Sequence, residues 1–450
     1  MRISTAIIVE REVRSTSELG EQTFCELRTA SFSRETAPFQ GGEILSRRTA
    51  LSRIVLTLFP LLVAACGSPS STNLPSSLYP ALILSKAERR QEVALKAARV
   101  LALLKQEMLS GILIASAPNF AWATAGAEGK VPLFLRDDGR KFFIAHTDDA
   151  PKALLEDLSD LGYEAKTTSW YSGGIGQKEM AAVLEQLTGG RPFGADIPCT
   201  GARTVDDAVA ALQVPLTDGE VREYRWLGKT TAEQVETVCR QIRPWMTDRG
   251  IEVLLSDALL RHAIRAVQVE VEVDARIPGD GGKPRSDVSK VERHAAVTIC
   301  GERWGLKVAM TRIVHFGPLE KDAQAHLKAA ARVNAGFWAR TLPGAAAGSI
   351  LQGAIADYAE AGYSQEWSKH GPGGAIGYRD RDWPAAPDSA HAVRCPQAFA
   401  WKATVGDARI EDTILLIGDG MEVLTETPDW PRVGSKALGR IYRSPGILVQ

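Results

Sequence analysis

From Ser85 onward, apolar residues fall at spacings that alternate between helix and strand. SKAERRQEVALKAARVLALLKQEM (85–108) places them three and four apart and predicts a long amphipathic helix. GILIASAPNFAWATAG (111–126) predicts an apolar strand running into a turn. VPLFLRDDGRKFFIAHT (131–147) predicts two short strands joined at Asp137-Asp138-Gly139. DDAPKALLEDLSDLGY and QKEMAAVLEQLTGG return to helical spacing, with Gly near each end. Helix alternating with strand over 85–217 predicts an α/β domain. A second domain, 218–450, opens with a helix in GEVREYRWLGKTTAEQVETVCRQIRPWM and another in EVLLSDALLRHAIRAV (252–267). AAVTICGERWGLKVAMTRIVHFG (295–317) predicts a strand pair around Gly301-Glu302-Arg303. Two more helices follow (322–342 and 348–363), and RCPQAFAWKA and RIEDTILLI read as closing strands. Helices grouped ahead of strands predict an α+β domain, and no repeat period is present.

Residues 1–84 read differently. SRRTALSRIVLTLFPLLVAACGS (46–68) sets Arg47, Arg48 and Arg53 before an apolar run from Ile54 to Ala65. That run is too short for a membrane-spanning helix and has the form of a signal h-region; a buried helix or an uncleaved anchor is the alternative. Val63-Ala64-Ala65-Cys66 resembles a bacterial lipobox with Cys66 as the lipidated residue. Ser46-Arg47-Arg48 resembles a twin-arginine export signal, with Ala50 replacing the usual bulky residue. The expectation is a leader over 1–65, a Ser/Pro-rich tether over 66–84, and an exported lipoprotein facing the periplasm. Gly67 carries no retention aspartate, which favours the outer membrane. Residues 1–45 lack a period, and a start codon placed too early explains them as well as any function does.

Composition narrows the function classes. A hydrophobic share of 45% and a charged share of 24% are those of a globular protein. The 450-residue chain carries a formal net charge of −1 and no basic stripe, so a nucleic-acid partner is not expected. Cys199, Cys239, Cys300 and Cys395 are widely spaced; disulfides and buried free thiols both remain open.

The chemistry gathers in a few short motifs. KHGPGGAIGYRDRD (369–382) sets His370 among glycines and ends in alternating charges. With Asn119-Phe120-Ala121-Trp122, Met310-Thr311-Arg312 and Gly406-Asp407-Ala408-Arg409-Ile410-Glu411-Asp412-Thr413, in that order, the chain resembles the creatinase / aminopeptidase P family over roughly 86–428. This is the M24, or pita-bread, family. The resemblance implies a creatinase-like N-terminal α/β domain, a C-terminal pita-bread domain and a homodimer. It also implies five side chains that would hold two divalent ions for a bridging hydroxide: two Asp, a His and two Glu. Carried over position by position, those places hold Thr298, Ala309, Gly374, Lys402 (or its neighbour) and Glu411. One carboxylate beside an ammonium cannot hold two divalent cations, so neither a metal nor another cofactor is expected.

What remains is a candidate site without its metals. His370 is a candidate acid/base or a packed loop histidine, and Glu411 a carboxylate partner, or an ion pair with Lys402 or Arg381. Arg381, Tyr378, Lys402 and Trp401 are candidate substrate contacts; the Arg381 run reads equally as a self-neutralising surface. The segment 277–292, where the resemblance places another active-site histidine, holds none. His294 opens a strand and His315 sits at the far end of the next. Two readings stay open. One is a metal-independent hydrolase of a small amide or short peptide; the other is an inactive pseudo-peptidase that binds a small molecule or peptide, or serves as a scaffold.

Overall fold

A computed structural model describes residues 83–146, 151–172, 177–274 and 289–450. The signal segment, Cys25, Cys66 and nearly all of the tether lie outside the described residues, as does most of 277–292. Among the described residues no helix is long and apolar enough to cross a membrane.

The first helix, α1 (Lys86–Glu107), starts at a capping box. The Ser85 N–H donates to Glu88 Oε2 at 2.7 Å and the Glu88 N–H donates to Ser85 Oγ at 3.3 Å. Strand β1 (Gly111–Ile114) is fully buried. The apolar stretch then enters a helix, α2 (Ala117–Ala123), and not the turn its sequence suggests, because Pro118 sits in the first helical turn, where its fixed φ helps and its missing N–H costs nothing. β2 (Leu133–Arg136) and β3 (Lys141–His146) pair antiparallel as expected. α3 (Lys152–Asp160), β4 (Glu164–Thr168), α4 (Lys178–Thr188), β5 (Phe193–Ala195), β6 (Ala202–Thr204) and α5 (Asp206–Leu212) complete a mixed six-stranded sheet in the order β4-β3-β2-β1-β5-β6.

A second capping box, Thr217 with Glu220, begins α6 (Asp218–Gln241). The next helix, α7 (Asp248–Leu260), stops earlier than its spacing suggests. Ala263 adopts φ 53° and Arg265 to Val273 form strand β7, because RAVQVEVEV alternates with period two. Its partners are β8 (His294–Arg303) and β9 (Leu306–His315). Their hairpin turns at Trp304-Gly305, two residues beyond the expected Gly-Glu-Arg. Both turn residues have positive φ (54° and 81°), the geometry a two-residue hairpin loop requires.

Helices α8 (Lys321–Arg340) and α9 (Ala347–Glu360) follow. Then come β10 (Gly373–Ile376), β11 (Trp383–Pro384), β12 (Gln397–Val405), β13 (Ala408–Ile417), β14 (Gly420–Val423), β15 (Arg432–Ala437), β16 (Arg440–Pro445) and β17 (Ile447–Val449). One sheet runs β11-β10-β12-β13-β14 and another β17-β9-β8-β7, with β15-β16 as a separate hairpin. The two larger sheets meet at Thr413. Its hydroxyl accepts from the Ala309 N–H and donates to the Ala309 carbonyl, each at 2.8 Å.

Alternation along β12 decides which side chains the site receives. Phe399, Trp401 and Ala403 join the core under α8, where Trp401 stacks on Phe337 at 4.8 Å. Ala398 and Ala400 belong to the core on the opposite face, and Lys402 shares their parity. Cys199, Cys239, Cys300 and Cys395 are all free thiols.

Candidate functional site

The sheet registers assemble a band of side chains between β7, β8, β9, β12 and β13. Thr298 pairs with Thr311, Cys300 with Ala309, and His294 with His315 across β8 and β9; Glu270 and Glu272 pair with Thr298 and Ala296. On the facing sheet Lys402 is the register partner of Glu411, Ala400 of Thr413, and Thr404 of Arg409. His294 thus shares the strand face of Thr298. The structure brings four of the aligned positions, Thr298, Ala309, Lys402 and Glu411, onto facing strands. Gly374, on β10, pairs with Ala400 beside them.

Glu411 is buried and both its oxygens are engaged. Arg381 Nη2 donates to Oε1 at 3.1 Å, and Thr311 Oγ1 donates to Oε2 at 3.3 Å. Thr311 Oγ1 lies 3.0 Å from Thr298 Oγ1, so a hydroxyl bonded to a second hydroxyl stands at the first place where the resemblance calls for a carboxylate ligand. Arg381 is thereby the counter-ion of Glu411, and its surface run is only partly a solvated one. Lys402 is half-buried, and among the described residues its ammonium has no ion-pair or hydrogen-bond partner. Its main-chain N–H donates to the Pro372 carbonyl at 2.9 Å, tying β12 to the glycine loop.

Hard divalent ions need several oxygen or nitrogen donors converging at short range. Threonine hydroxyls bonded to each other, an alanine, a glycine and a lysine do not supply them. No group of three or more His, Cys, Asp or Glu among the described residues is placed to hold an ion. The residues do not fit the dinuclear centre. The backbone agrees: Gly374 has φ 156°, a conformation that a histidine rarely adopts.

His370 is solvent-exposed on the loop before β10. Crowding by the surrounding chain, then the cations of Arg409 and Lys402, hold its imidazole below the ordinary value against the pull of Glu366 and Glu272. Arg409 itself is bound to Glu272 at 3.2 Å and reaches Glu270 at 4.0 Å. Burial in first place, with His315 adding to it, lowers His294 as well.

Two side chains expected at the site lie elsewhere. Trp401 is wholly buried on the opposite face of β12, donating its indole N–H to Thr341 Oγ1 at 2.9 Å. Tyr378 is buried among Lys96, Glu220 and Tyr224, and donates its hydroxyl to Glu220 Oε1 at 2.7 Å. The same Glu220 oxygen holds Lys96 Nζ at 2.9 Å, so Tyr378 fastens α1 to α6 and is sealed from any ligand. A strand's period of two was the available signal for Trp401; Tyr378 offered none, since Lys96 and Glu220 are remote in sequence.

Sequence reasoning also missed the buried framework behind Glu411. The Arg312 guanidinium binds Glu236 Oε1 at 2.8 Å, Asp412 Oδ1 at 2.9 Å and the Thr425 carbonyl at 2.6 Å. Burial alone would lower its pKa, but the two carboxylates outweigh that and raise it. Glu236 also accepts from Thr427 Oγ1, and Asp412 from Thr425 Oγ1 at 2.7 Å. This cluster fixes β9 to β13 at Asp412, the residue next to Glu411.

No family model matches the sequence, and no curated protein matches it. Solved structures do resemble it in shape. The dipeptidase PepE from Mycobacterium ulcerans superposes with a TM-score of 0.60 at 18% identity, over 75% of this chain and 97% of that one. The X-Pro aminopeptidase from Thermotoga maritima MSB8 gives 0.59 at 16% identity, over 77% and 99%. The N-terminal domain of the FACT complex subunit SPT16 from Cicer arietinum gives 0.57 at 10% identity, over 75% and 96%. The chain therefore has the fold of the prolidases and Xaa-Pro aminopeptidases, a creatinase-like α/β domain followed by a pita-bread domain.

Proposed function

We propose that this chain is a pseudo-peptidase: a pita-bread protein that binds a small molecule or short peptide in its cleft without a dinuclear metal centre. The observation that carries this reading is the engagement of Glu411 by Arg381 and Thr311, with Thr298, Ala309, Gly374 and Lys402 at the other aligned positions. An internal guanidinium already neutralises the one carboxylate retained. A fold neighbour that is a subunit of a complex, SPT16, accords with a binding role. The N-terminal signal and Cys66 would present this cleft to the periplasm on a lipid anchor, and a homodimer follows from the resemblance.

A second reading, a metal-independent hydrolase of a small amide, draws on one observation. His370 is held in its neutral form near neutral pH and stands by the cleft with Lys402 and Arg409, so it can accept a proton.

The test is elemental analysis of the purified protein together with assays on Xaa-Pro dipeptides in added Mn²⁺ or Co²⁺. The expected result is no stoichiometric Mn, Co, Zn or Fe and no turnover above background. About two bound ions per chain would overturn both readings. Metal-free turnover that His370→Ala abolishes would replace the binding reading by the hydrolase.

A further inference from the structure

We propose that the cleft recognises an oxyanion, the carboxylate of a small acid or of a short peptide, with the Lys402 ammonium as its anchor. This rests on the reading that the cleft holds no dinuclear metal centre, and it names the chemistry of the ligand.

The argument is one of charges already spoken for. Lys402 stands opposite Glu411 in the β12–β13 register, where an ion pair between them would be the simplest outcome. Glu411 instead gives one oxygen to Arg381 and the other to Thr311. The neighbouring charges are similarly committed: Arg409 to Glu270 and Glu272, Lys369 to Glu366, and Asp407 to His326 at 2.7 Å. Among the described residues, the Lys402 ammonium has no ion-pair or hydrogen-bond partner. A half-buried ammonium has lost part of its hydration without gaining an acceptor, and an incoming oxyanion supplies that acceptor.

The neighbouring strand positions carry small side chains. Ala400, Gly374, Ala309 and Thr298 lie on the strands around Lys402, and none carries a side chain longer than threonine. The Lys402 ammonium and Arg409 both act electrostatically on His370. Arg409 is already shared between Glu270 and Glu272, while a neutral imidazole keeps one N–H to donate. A lysine at or beside the place where the resemblance implies a glutamate does more than remove a metal ligand. It turns a place that would attract cations into one that attracts anions.

Isothermal titration of the full chain with N-acetylglycine, N-acetylglycinamide and inorganic phosphate, alongside metal analysis of the same preparation, tests this. N-acetylglycine is expected to bind saturably, at least about tenfold tighter than its amide, since a charge-assisted bond is lost. Lys402→Met should weaken it at least about tenfold while Lys402→Arg retains most of the affinity, with both variants matching the parent in thermal unfolding. Binding that is equal for acid and amide, unchanged in Lys402→Met, seen only with phosphate, or absent for N-acetylglycine overturns the inference. Any of these in metal-free protein leaves the pseudo-peptidase reading standing, whereas two bound metal ions would remove that reading itself.

Discussion

A single carboxylate shows how the partners around a residue decide its task. Glu411 stands where the sequence resemblance places a metal ligand, yet its partners are a guanidinium and a hydroxyl. The sequence pointed to Lys402 or Arg381 as its ion-pair partner, and geometry chose Arg381, which the glycine loop carries to within 3.1 Å. Arg381→Ala should leave a buried carboxylate short of its counter-ion. Because Arg381 is about one-third exposed, water can partly replace it, and the expected loss is about 1–2 kcal/mol in denaturant unfolding. Arg381→Ala combined with Glu411→Gln should recover part of that loss, which would tie the cost to the stranded charge. His370 was legible as a residue of the loop before β10, where it is exposed. Tyr378 was not, since its partners Lys96 and Glu220 come from distant helices and nothing local announces them.

At the scale of elements, period-two and helical patterns foresaw most strands and helices but misplaced the joints. The hairpin turns at Trp304-Gly305 because those two residues, and not Gly301, take positive φ; Gly301 lies inside β8. A Cβ on Gly305 would press on Ala121 and stand 2.9 Å from the Tyr378 ring, so the hairpin tip docks where only glycine fits. Gly305→Val should therefore lower the melting temperature, while Gly439→Ala, in a turn with open space around it, should cost far less despite a similar φ. The framework behind the cleft is the firmer test. Arg312→Met would strand Glu236 and Asp412 in the core, with an expected destabilisation of about 3–5 kcal/mol measured by denaturant unfolding. No short motif marks this cluster, since its members are separated by most of the second domain.

The whole molecule adds a dependence on pH. Glu223, on α6, is buried beside Glu220 and Glu92; burial foremost, with these carboxylates, raises its pKa to about 8, and Lys96 only partly offsets this. The folded state therefore holds a proton that the unfolded chain has released, so stability falls as pH rises from the ordinary value of 4.5 through about 8. Glu223→Gln should flatten that decline, and melting temperatures of parent and variant measured from pH 5 to about 9 would show it; parallel curves would refute the assignment. The overall architecture was the most legible level, because ordered fragments carried it across the chain. The charge arrangement of the cleft was the least legible, because it depends on which partner each ion finds.

The last strand in sequence order carries a consequence for biogenesis. β17 pairs parallel to β9, matching Ile447 to Ile313 and Val449 to His315, and Gln450 exchanges main-chain bonds with His315 and Gly317. The sheet that carries Thr298, Ala309 and Thr311 is therefore completed at the β9 edge by residues 447–450. Without β17, β9 would present an open edge, an invitation to unwanted strand pairing. Deleting residues 447–450 should yield a polypeptide that aggregates on production, even though no residue of the cleft has been touched.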